Sequence, residues 1–249
     1  MNKRKKVQKK TPPILWILAA VAAVVFIIIA VVSHYVQPGE PTKPIGTQPS
    51  YPLRVEDAED VSINLGYGMY LEDVAKYTGV YMEDGSDAVV SGILMVMVKN
   101  TGTQDIQYAE IELPVGKELA TFTLTNLPVG ESVVLLEKDR MEYNGDVQYT
   151  TAIAKNVIVF QEQMTLLQDQ LRIQGQNGVL NITNISGEDI TGDIVIYYKN
   201  SSSDMFYGGI TYRLMITGGI KAGETRRAAS GHYSANGSRV VHITIGEAI

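Results

Sequence analysis

One uninterrupted apolar segment limits what this chain can fold into more than any other feature. Residues Ile14 to Val32 are 19 consecutive uncharged, apolar residues, and a helix of that length spans about 28 Å, close to the ~30 Å hydrocarbon core of a bilayer. The alternative is a cleaved secretory signal with a cleavage site near Ser33, but the apolar core of such signals is usually about 7–15 residues long. The segment therefore predicts an uncleaved transmembrane helix over residues 13–36.

The distribution of charge predicts the orientation of that helix. Six Lys and Arg residues lie within the first ten positions, the first acidic residue is Glu40, and the net charge of the whole chain is -6. Basic residues flanking a membrane helix stay on the cytoplasmic side. We therefore expect a cytoplasmic tail over residues 1–12, the lipid bilayer as a partner, and an acidic extracellular remainder. The short tail has no aromatic residues between its basic ones, so no nucleic acid partner is expected.

Residues 37–52 predict an extended linker. They contain five of the nine prolines of the chain and show no apolar periodicity. A polyproline-like segment of this length reaches up to about 50 Å, at ~3.1 Å per residue. The chain has no cysteine, which excludes disulfide scaffolds, thiolate catalysis and cysteine metal sites.

The rest of the chain contains landmarks that recur in the same order. These are the segments 98–106 and 182–190, the Gly-Glu pairs at 130–131 and 223–224, and the Asn-Gly pairs at 144–145 and 236–237. The spacing predicts two repeats, over residues 53–150 and 151–249, with an insertion of roughly nine residues in the second. We expect this insertion within Lys199 to Gly209, with a loop at residues 200–204.

Both repeats have the pattern of antiparallel β-structure. The segments Ile93–Val98 and Ile194–Tyr198 are rich in β-branched, aromatic and other apolar residues, and turn residues follow them. The fold class predicted is all-β. The spacings of Tyr70, Val74 and Tyr77 in the first repeat, and of Met164, Leu167 and Leu171 in the second, also fit a short helix. Such short patterns do not separate helix from strand.

A family resemblance is carried by the second repeat, in which a turn at residues 184–186 precedes the strand Ile194–Tyr198 and the Gly-Glu pair at 223–224. This order resembles the FxLYD-type modules, immunoglobulin-like β-sandwiches of bacterial cell-surface proteins, with Ile in place of Phe and Leu and Tyr in place of Asp. The corresponding segment of the first repeat, Ala109–Leu113, hardly matches. The resemblance implies two tandem immunoglobulin-like sandwich domains after a single N-terminal transmembrane helix, and that family has no catalytic residues to transfer.

Few residues are available for catalysis or metal binding. His34 lies at the predicted membrane boundary, His242 lies in a strand-like pattern, and His232 is close to serines but without a Gly-x-Ser-x-Gly motif. The acidic clusters at 56–60 and 83–87 lack the spacing of an EF-hand calcium loop, so solvated turns are favoured over weak Ca²⁺ sites. We expect no catalytic residue, no metal site and no cofactor.

Tyrosine is the unusual aromatic residue of this chain: it occurs 14 times, against four Phe and one Trp. Because a tyrosine ring can be buried while its hydroxyl stays solvated, tyrosines suit both sandwich edges and binding surfaces. The candidate binding surface comprises two clusters, Tyr67, Tyr70, Tyr77 and Tyr81 in the first repeat and Tyr197, Tyr198, Tyr207 and Tyr212 in the second. The alternative is that these are half-buried strand residues.

Taken together, the sequence predicts a single-pass cell-membrane protein of the bacterial envelope, with a cytoplasmic N-terminus and extracellular C-terminal domains. We expect a non-catalytic binding or scaffolding role, with an envelope protein or cell-wall polymer as partner. One alternative is a sensor or regulatory accessory subunit of a membrane complex. The other, ranked last, is an envelope hydrolase.

Overall fold

Thirteen β-strands form the part of the chain that the structure describes. The computed structural model describes residues 54–202 and 204–246, and it contains no helix within them. The predicted all-β class is therefore confirmed. Within these residues no helix is long and apolar enough to cross a membrane. The predicted tail (1–12), transmembrane helix (13–36) and linker (37–52) lie outside the described residues.

The strands follow one another with short connections, apart from two longer irregular segments that precede β7 and β8. Their bounds are β1 (Arg54–Gly66), β2 (Met69–Tyr81), β3 (Ala88–Asn100), β4 (Ile106–Val115), β5 (Glu118–Leu127), β6 (Ser132–Leu136), β7 (Ile153–Val159), β8 (Leu171–Gln176), β9 (Val179–Asn184), β10 (Ile194–Ser202), β11 (Met205–Ile216), β12 (Thr225–Ala229) and β13 (Ser238–Ile245). We call β1–β7 the first half and β8–β13 the second half.

Three sheets contain these strands. The largest has the order β1-β2-β3-β6-β11-β10-β13, and the two smaller sheets have the orders β12-β9-β8 and β5-β4-β7. Within the first half, β2-β3-β6 and β5-β4-β7 are neighbours; within the second half, β8-β9-β12 and β11-β10-β13 are neighbours. The six strands β2–β7 and the six strands β8–β13 are thus arranged in the same order, and β1 is the extra strand of the first half.

The short helices that the apolar spacing suggested are wrong. Tyr70, Val74 and Tyr77 lie in β2, which pairs with strands on both sides. Leu171 begins β8, and Leu167 lies in an irregular segment before it. In β2 the burial of residues largely alternates along the strand, so pairing with two neighbours decides the conformation and the i, i+4 spacing is incidental.

Apolar side chains pack on both faces of the large sheet. Leu94 and Val96 of β3 belong to the core between this sheet and β5-β4-β7, whereas Ile93 and Met95 belong to a smaller cluster on the opposite face. A strand buried on both faces needs apolar residues at consecutive positions, which explains the unbroken run Ile93–Val98. A third cluster fills the space between β12-β9-β8 and the second-half strands of the large sheet.

A buried asparagine explains one of the recurring sequence landmarks. Asn100, at the end of β3, is fully buried. Its side-chain amide donates to the carbonyls of Gln104 (2.9 Å) and Leu127 (3.2 Å), and its Oδ1 accepts from the backbone N–H of Gly102 (3.0 Å). The side chain therefore ties the loop after β3 to the end of β5.

Asn184, at the end of β9, makes the same three bonds in the second half. Its amide donates to the carbonyls of Glu188 (2.7 Å) and Ile220 (2.9 Å), and its Oδ1 accepts from the N–H of Ser186 (3.0 Å). The backbone of each asparagine also bonds the recurring Gly-Glu pair, at Gly130 and Glu131 in the first half and at Gly223 and Glu224 in the second. The recurring residues thus form the same hydrogen-bonded corner twice.

We predict that Asn184→Ala lowers the free energy of unfolding by about 3 kcal/mol, because it leaves buried backbone groups without partners. The matched control is Asn181→Ala on the same strand, whose side chain is partly exposed and for which we expect less than about 0.5 kcal/mol. Urea unfolding of the full chain measures both values. Equal losses in the two variants would contradict the role given to Asn184.

Candidate functional site

The two halves of the chain are joined by a parallel strand pair. Residues Met205, Phe206 and Tyr207 of β11 pair with Ser132, Val133 and Val134 of β6, and the other strand pairs within the described residues are antiparallel. Main-chain hydrogen bonds therefore run between the halves and produce the seven-stranded sheet. We call this region the junction.

The junction is built by the far end of the β10–β11 hairpin. The prediction of a loop at residues 200–204 is wrong in part, because β10 continues to Ser202 and β11 begins at Met205. The turn between these two strands is short, and the start of β11 carries the residues that pair with β6. Phe206, 1% exposed, packs into the core of the first half.

Lys199 lies at the centre of the junction and is fully buried. Its ammonium group donates to the backbone carbonyls of Thr125 (2.9 Å), Gly209 (3.0 Å) and Ile210 (2.9 Å). A lysine ammonium has three N–H donors, so each donor has a carbonyl acceptor. Since Thr125 lies in β5 of the first half and the other two acceptors lie in β11, this one side chain links the two halves.

Glu83 supplies the opposite charge from the loop between β2 and β3. Its carboxylate accepts from the backbone N–H of Leu136 in β6 (3.0 Å) and of Gly209 in β11 (2.8 Å). Glu83 and Lys199 thus bind the N–H and the C=O of the same residue, Gly209. The contacts connect three elements: the β2–β3 hairpin, β6 and β11.

Burial acts on the pKa values of both groups. It lowers the pKa of Lys199, and the negative charge of Glu83 opposes this shift. It raises the pKa of Glu83, and the backbone N–H donors and Lys199 oppose that shift. The hydrogen bonds fit the ionised pair, because Lys199 donates only to oxygens and Glu83 accepts only from N–H groups.

Gly209 allows this close approach because it has no side chain. A Cβ atom at this position would lie 1.7 Å from the carbonyl oxygen of Thr123 in β5. Any larger residue would push β11 away from β5 and separate Lys199 from its acceptors.

The predicted tyrosine surface is spread over several environments. Tyr77, Tyr81 and Tyr198 are at most 2% exposed, whereas Tyr67, in the turn between β1 and β2, is 66% exposed. The remaining four, Tyr70, Tyr197, Tyr207 and Tyr212, are partly exposed. Buried rings have no face to offer a partner, so Tyr67 is the member of the set whose ring is open to one.

The second tyrosine cluster lies on two faces of one strand. Tyr198 packs in the core of the second half and stacks on Tyr212, with ring centres 5.3 Å apart. Its neighbour Tyr197 points to the opposite face, where it stacks on His242 at 5.7 Å. Adjacent strand residues alternate between faces, so the two tyrosines serve different cores.

The histidine and serine residues considered for hydrolysis have other partners. His232 lies 3.3 Å from a carboxylate oxygen of Asp87 and stacks on Tyr212. The hydroxyl of Ser230 shares a hydrogen bond with Tyr198. Among the described residues these contacts do not form a nucleophile–base pair.

Members of both acidic clusters pair with cationic side chains. Glu56 and Asp57 pair with Lys76, at 3.1 and 3.4 Å, and Asp84 pairs with Arg140 at 2.8 Å. No group of three or more His, Asp or Glu residues is placed to hold a metal ion within residues 54–202 and 204–246.

Two openings in the second half are candidates for ligand binding. The first is a groove of about 450 Å³ between β8 and β13, with mostly apolar lining that includes Leu171, Ile173 and Ile243. In the first half, β1 pairs with β2, the counterpart of β8, and Leu71 of β2 is fully buried. Ile173, the counterpart of Leu71, is partly exposed because β8 has no such partner strand.

The second opening is a polar cleft of about 410 Å³ between β11 and β12. Arg213, Arg226 and Arg227 line it. No motif marks these arginines in the sequence, although the charge distribution contains a signal for them. Residues 54–159 contain 18 acidic and seven basic residues, whereas residues 160–249 contain eight acidic and seven basic ones.

No protein-family model, curated protein or solved structure matches the chain.

We predict that Lys199→Met lowers the free energy of unfolding by about 3–5 kcal/mol, because Glu83 keeps a buried charge without its partner. We expect the double variant, Lys199→Met with Glu83→Gln, to lose less free energy of unfolding than the sum of the losses in the two single variants. The control is Lys99→Met, which removes a surface pair with Glu72 worth at most about 1 kcal/mol. Equal losses for Lys199→Met and Lys99→Met in denaturant unfolding would show that the junction lysine contributes little.

His242 gives a prediction about pH. Burial lowers its pKa, and this effect outweighs the opposing effects of the Thr165 backbone, 3.3 Å from Nδ1 at its carbonyl, and of the Asp105 charge. The unfolded chain therefore binds a proton more readily than the folded one, and stability falls as the pH drops through about 6.5. We expect His242→Gln to lose less stability than the wild type between pH 7 and pH 5 in urea unfolding. Identical losses would contradict this assignment.

Proposed function

We propose that the protein is a single-pass component of the bacterial envelope whose exported part is a non-catalytic binding and scaffolding unit. The apolar run from Ile14 to Val32 and the basic residues before it support this placement. Residues 37–52 then act as a spacer between the membrane and the β-structure.

The exported part is proposed to consist of two tandem immunoglobulin-like sandwich modules, β2–β7 and β8–β13. In each, the first, second and fifth strands form one layer and the fourth, third and sixth form the other. This order corresponds to strands A-B-E and C′-C-F of immunoglobulin domains. The matching asparagine corners at Asn100 and Asn184 support the same assignment.

The junction is the structural feature that best supports a scaffolding role. Adjacent domains in one chain usually move relative to each other unless a large interface prevents it. Here main-chain pairing of β6 with β11, together with the buried contacts of Glu83 and Lys199, holds the halves in one arrangement. A fixed pair of modules suits a protein that presents binding surfaces at a set separation.

An envelope protein is a better partner than an anionic wall polymer. The first half has an excess of 11 acidic over basic residues, and like charges repel over roughly the ~8 Å Debye length of physiological salt. The two openings of the second half, one apolar and one lined by arginines, suit protein segments.

Chemical crosslinking in intact cells, followed by mass spectrometry, tests this function. We expect the full chain to capture a discrete set of envelope proteins through lysines of residues 54–246. The control is a chain that keeps residues 1–53 and lacks the β-strands, and it should lose these crosslinks. Retention of the crosslinks by the control would indicate a partner that binds the membrane segment, as a regulatory subunit would. Hydrolysis of wall glycan that is abolished by His232→Ala would contradict the non-catalytic role.

A further inference from the structure

The cleft between β11 and β12 is bounded by two strand edges. Its walls are the segments Arg213–Thr217 and Arg226–Ser230. β11 pairs with β6 through residues Met205–Tyr207, so Arg213–Ile216 have no strand partner on that side. β12 is the outer strand of its sheet and pairs only with β9. Both walls therefore present unpaired backbone N–H and C=O groups.

The arginines of the cleft have no acidic partner within the described residues. The ion pairs found there involve other arginines, Arg140 and Arg239. Arg226 is partly buried, and one of its guanidinium N–H groups donates to the carbonyl of Gly219 at 3.2 Å. A guanidinium has five N–H donors, so most donors of Arg226 are available to a ligand.

The first half shows what binds at the equivalent edge. β6 and β12 are each the fifth strand of the shared six-strand order. The outer edge of β6 accepts a parallel strand, β11, at the junction. β12 keeps a regular register with β9 over Thr225–Ala229, whereas the edge strand β1 is interrupted by three register shifts, which protect an edge from pairing.

We propose that this cleft binds an extended acidic segment of a partner protein, which adds as a strand to the outer edge of β12. Its backbone pairs with the N–H and C=O groups of β12, and its carboxylates pair with Arg213, Arg226 and Arg227. A phosphate polymer would pair with the arginines but not with the outer edge of β12. The exposed carbonyls of that edge repel anions and require N–H donors, which a phosphate polymer lacks. The inference rests on the proposed binding function and names its site and ligand class.

Fluorescence anisotropy with the full chain in detergent tests the site. The probe is a labelled peptide of three Thr-Glu-Glu units. We expect Arg227→Glu and Arg213→Glu each to weaken its binding at least about tenfold, because each variant replaces attraction by repulsion. The matched control is Arg172→Glu, an exposed arginine on β8 that changes the net charge equally and should leave affinity within about twofold.

Two further peptides separate charge from strand pairing. In one, glutamine replaces glutamate; in the other, alternate backbone nitrogens are methylated so that one edge cannot donate hydrogen bonds. Both should bind at least about tenfold more weakly than the probe. Binding of the probe should also slow amide hydrogen exchange in β12 more than in β8, the other outer strand of that sheet.

Several results would overturn the inference. These are the absence of probe binding, equal weakening by Arg172→Glu, equal affinity for the methylated peptide, or complete displacement of the probe by inorganic polyphosphate at equal charge concentration. Aggregation of Arg227→Glu with unchanged probe affinity would show that the arginine only protects the edge from self-pairing. If any of these results is found while the full chain still forms its crosslinks in cells, the binding site is refuted and the proposed function stands. If the full chain forms no such crosslinks, the proposed function itself is refuted.

Discussion

The rest of the structure depends on the hydrogen bonds that Lys199 and Glu83 make on either side of Gly209. Burying two charges is costly, and here the cost is offset because every ammonium N–H has a carbonyl acceptor and the carboxylate accepts backbone N–H groups. The contacts fix the end of the β10–β11 hairpin against β5 and β6. Parallel pairing and burial of Phe206 follow from that position, and they join the two halves of the described strands into one body.

The sequence predicted the all-β class and marked the recurring residues that form the two corners, because both depend on local patterns. Asn100 and Asn184 stood out because an asparagine recurs with a Gly-Glu pair that follows 30 residues later in one case and 39 in the other. The prediction of a helix from the spacing of Tyr70, Val74 and Tyr77 is wrong. Pairing with strands on both sides of β2 decides the conformation there, and this pairing is not visible in the local spacing. Lys199 gave no signal, because a lysine in a polar segment predicts an exposed loop.

The proposed binding site was harder to predict than the fold. Composition singled out tyrosines, but adjacent residues such as Tyr197 and Tyr198 point to opposite faces, and which face is covered depends on sheets that the sequence does not reveal. Arg213 is separated in sequence from the adjacent pair Arg226 and Arg227, and the three line one cleft only because of the strand order. A charge count limited to the second half was the one signal that pointed toward them.

Native-state hydrogen exchange of the full chain tests most directly whether the junction makes the two halves one body. The amides of residues 132–134 and 205–207 that bond across the β6–β11 pair should exchange as slowly as those of the central strands β3 and β10, by global unfolding. Fast exchange across the β6–β11 pair, with β3 and β10 still protected, would show that the halves are independent and would contradict this account.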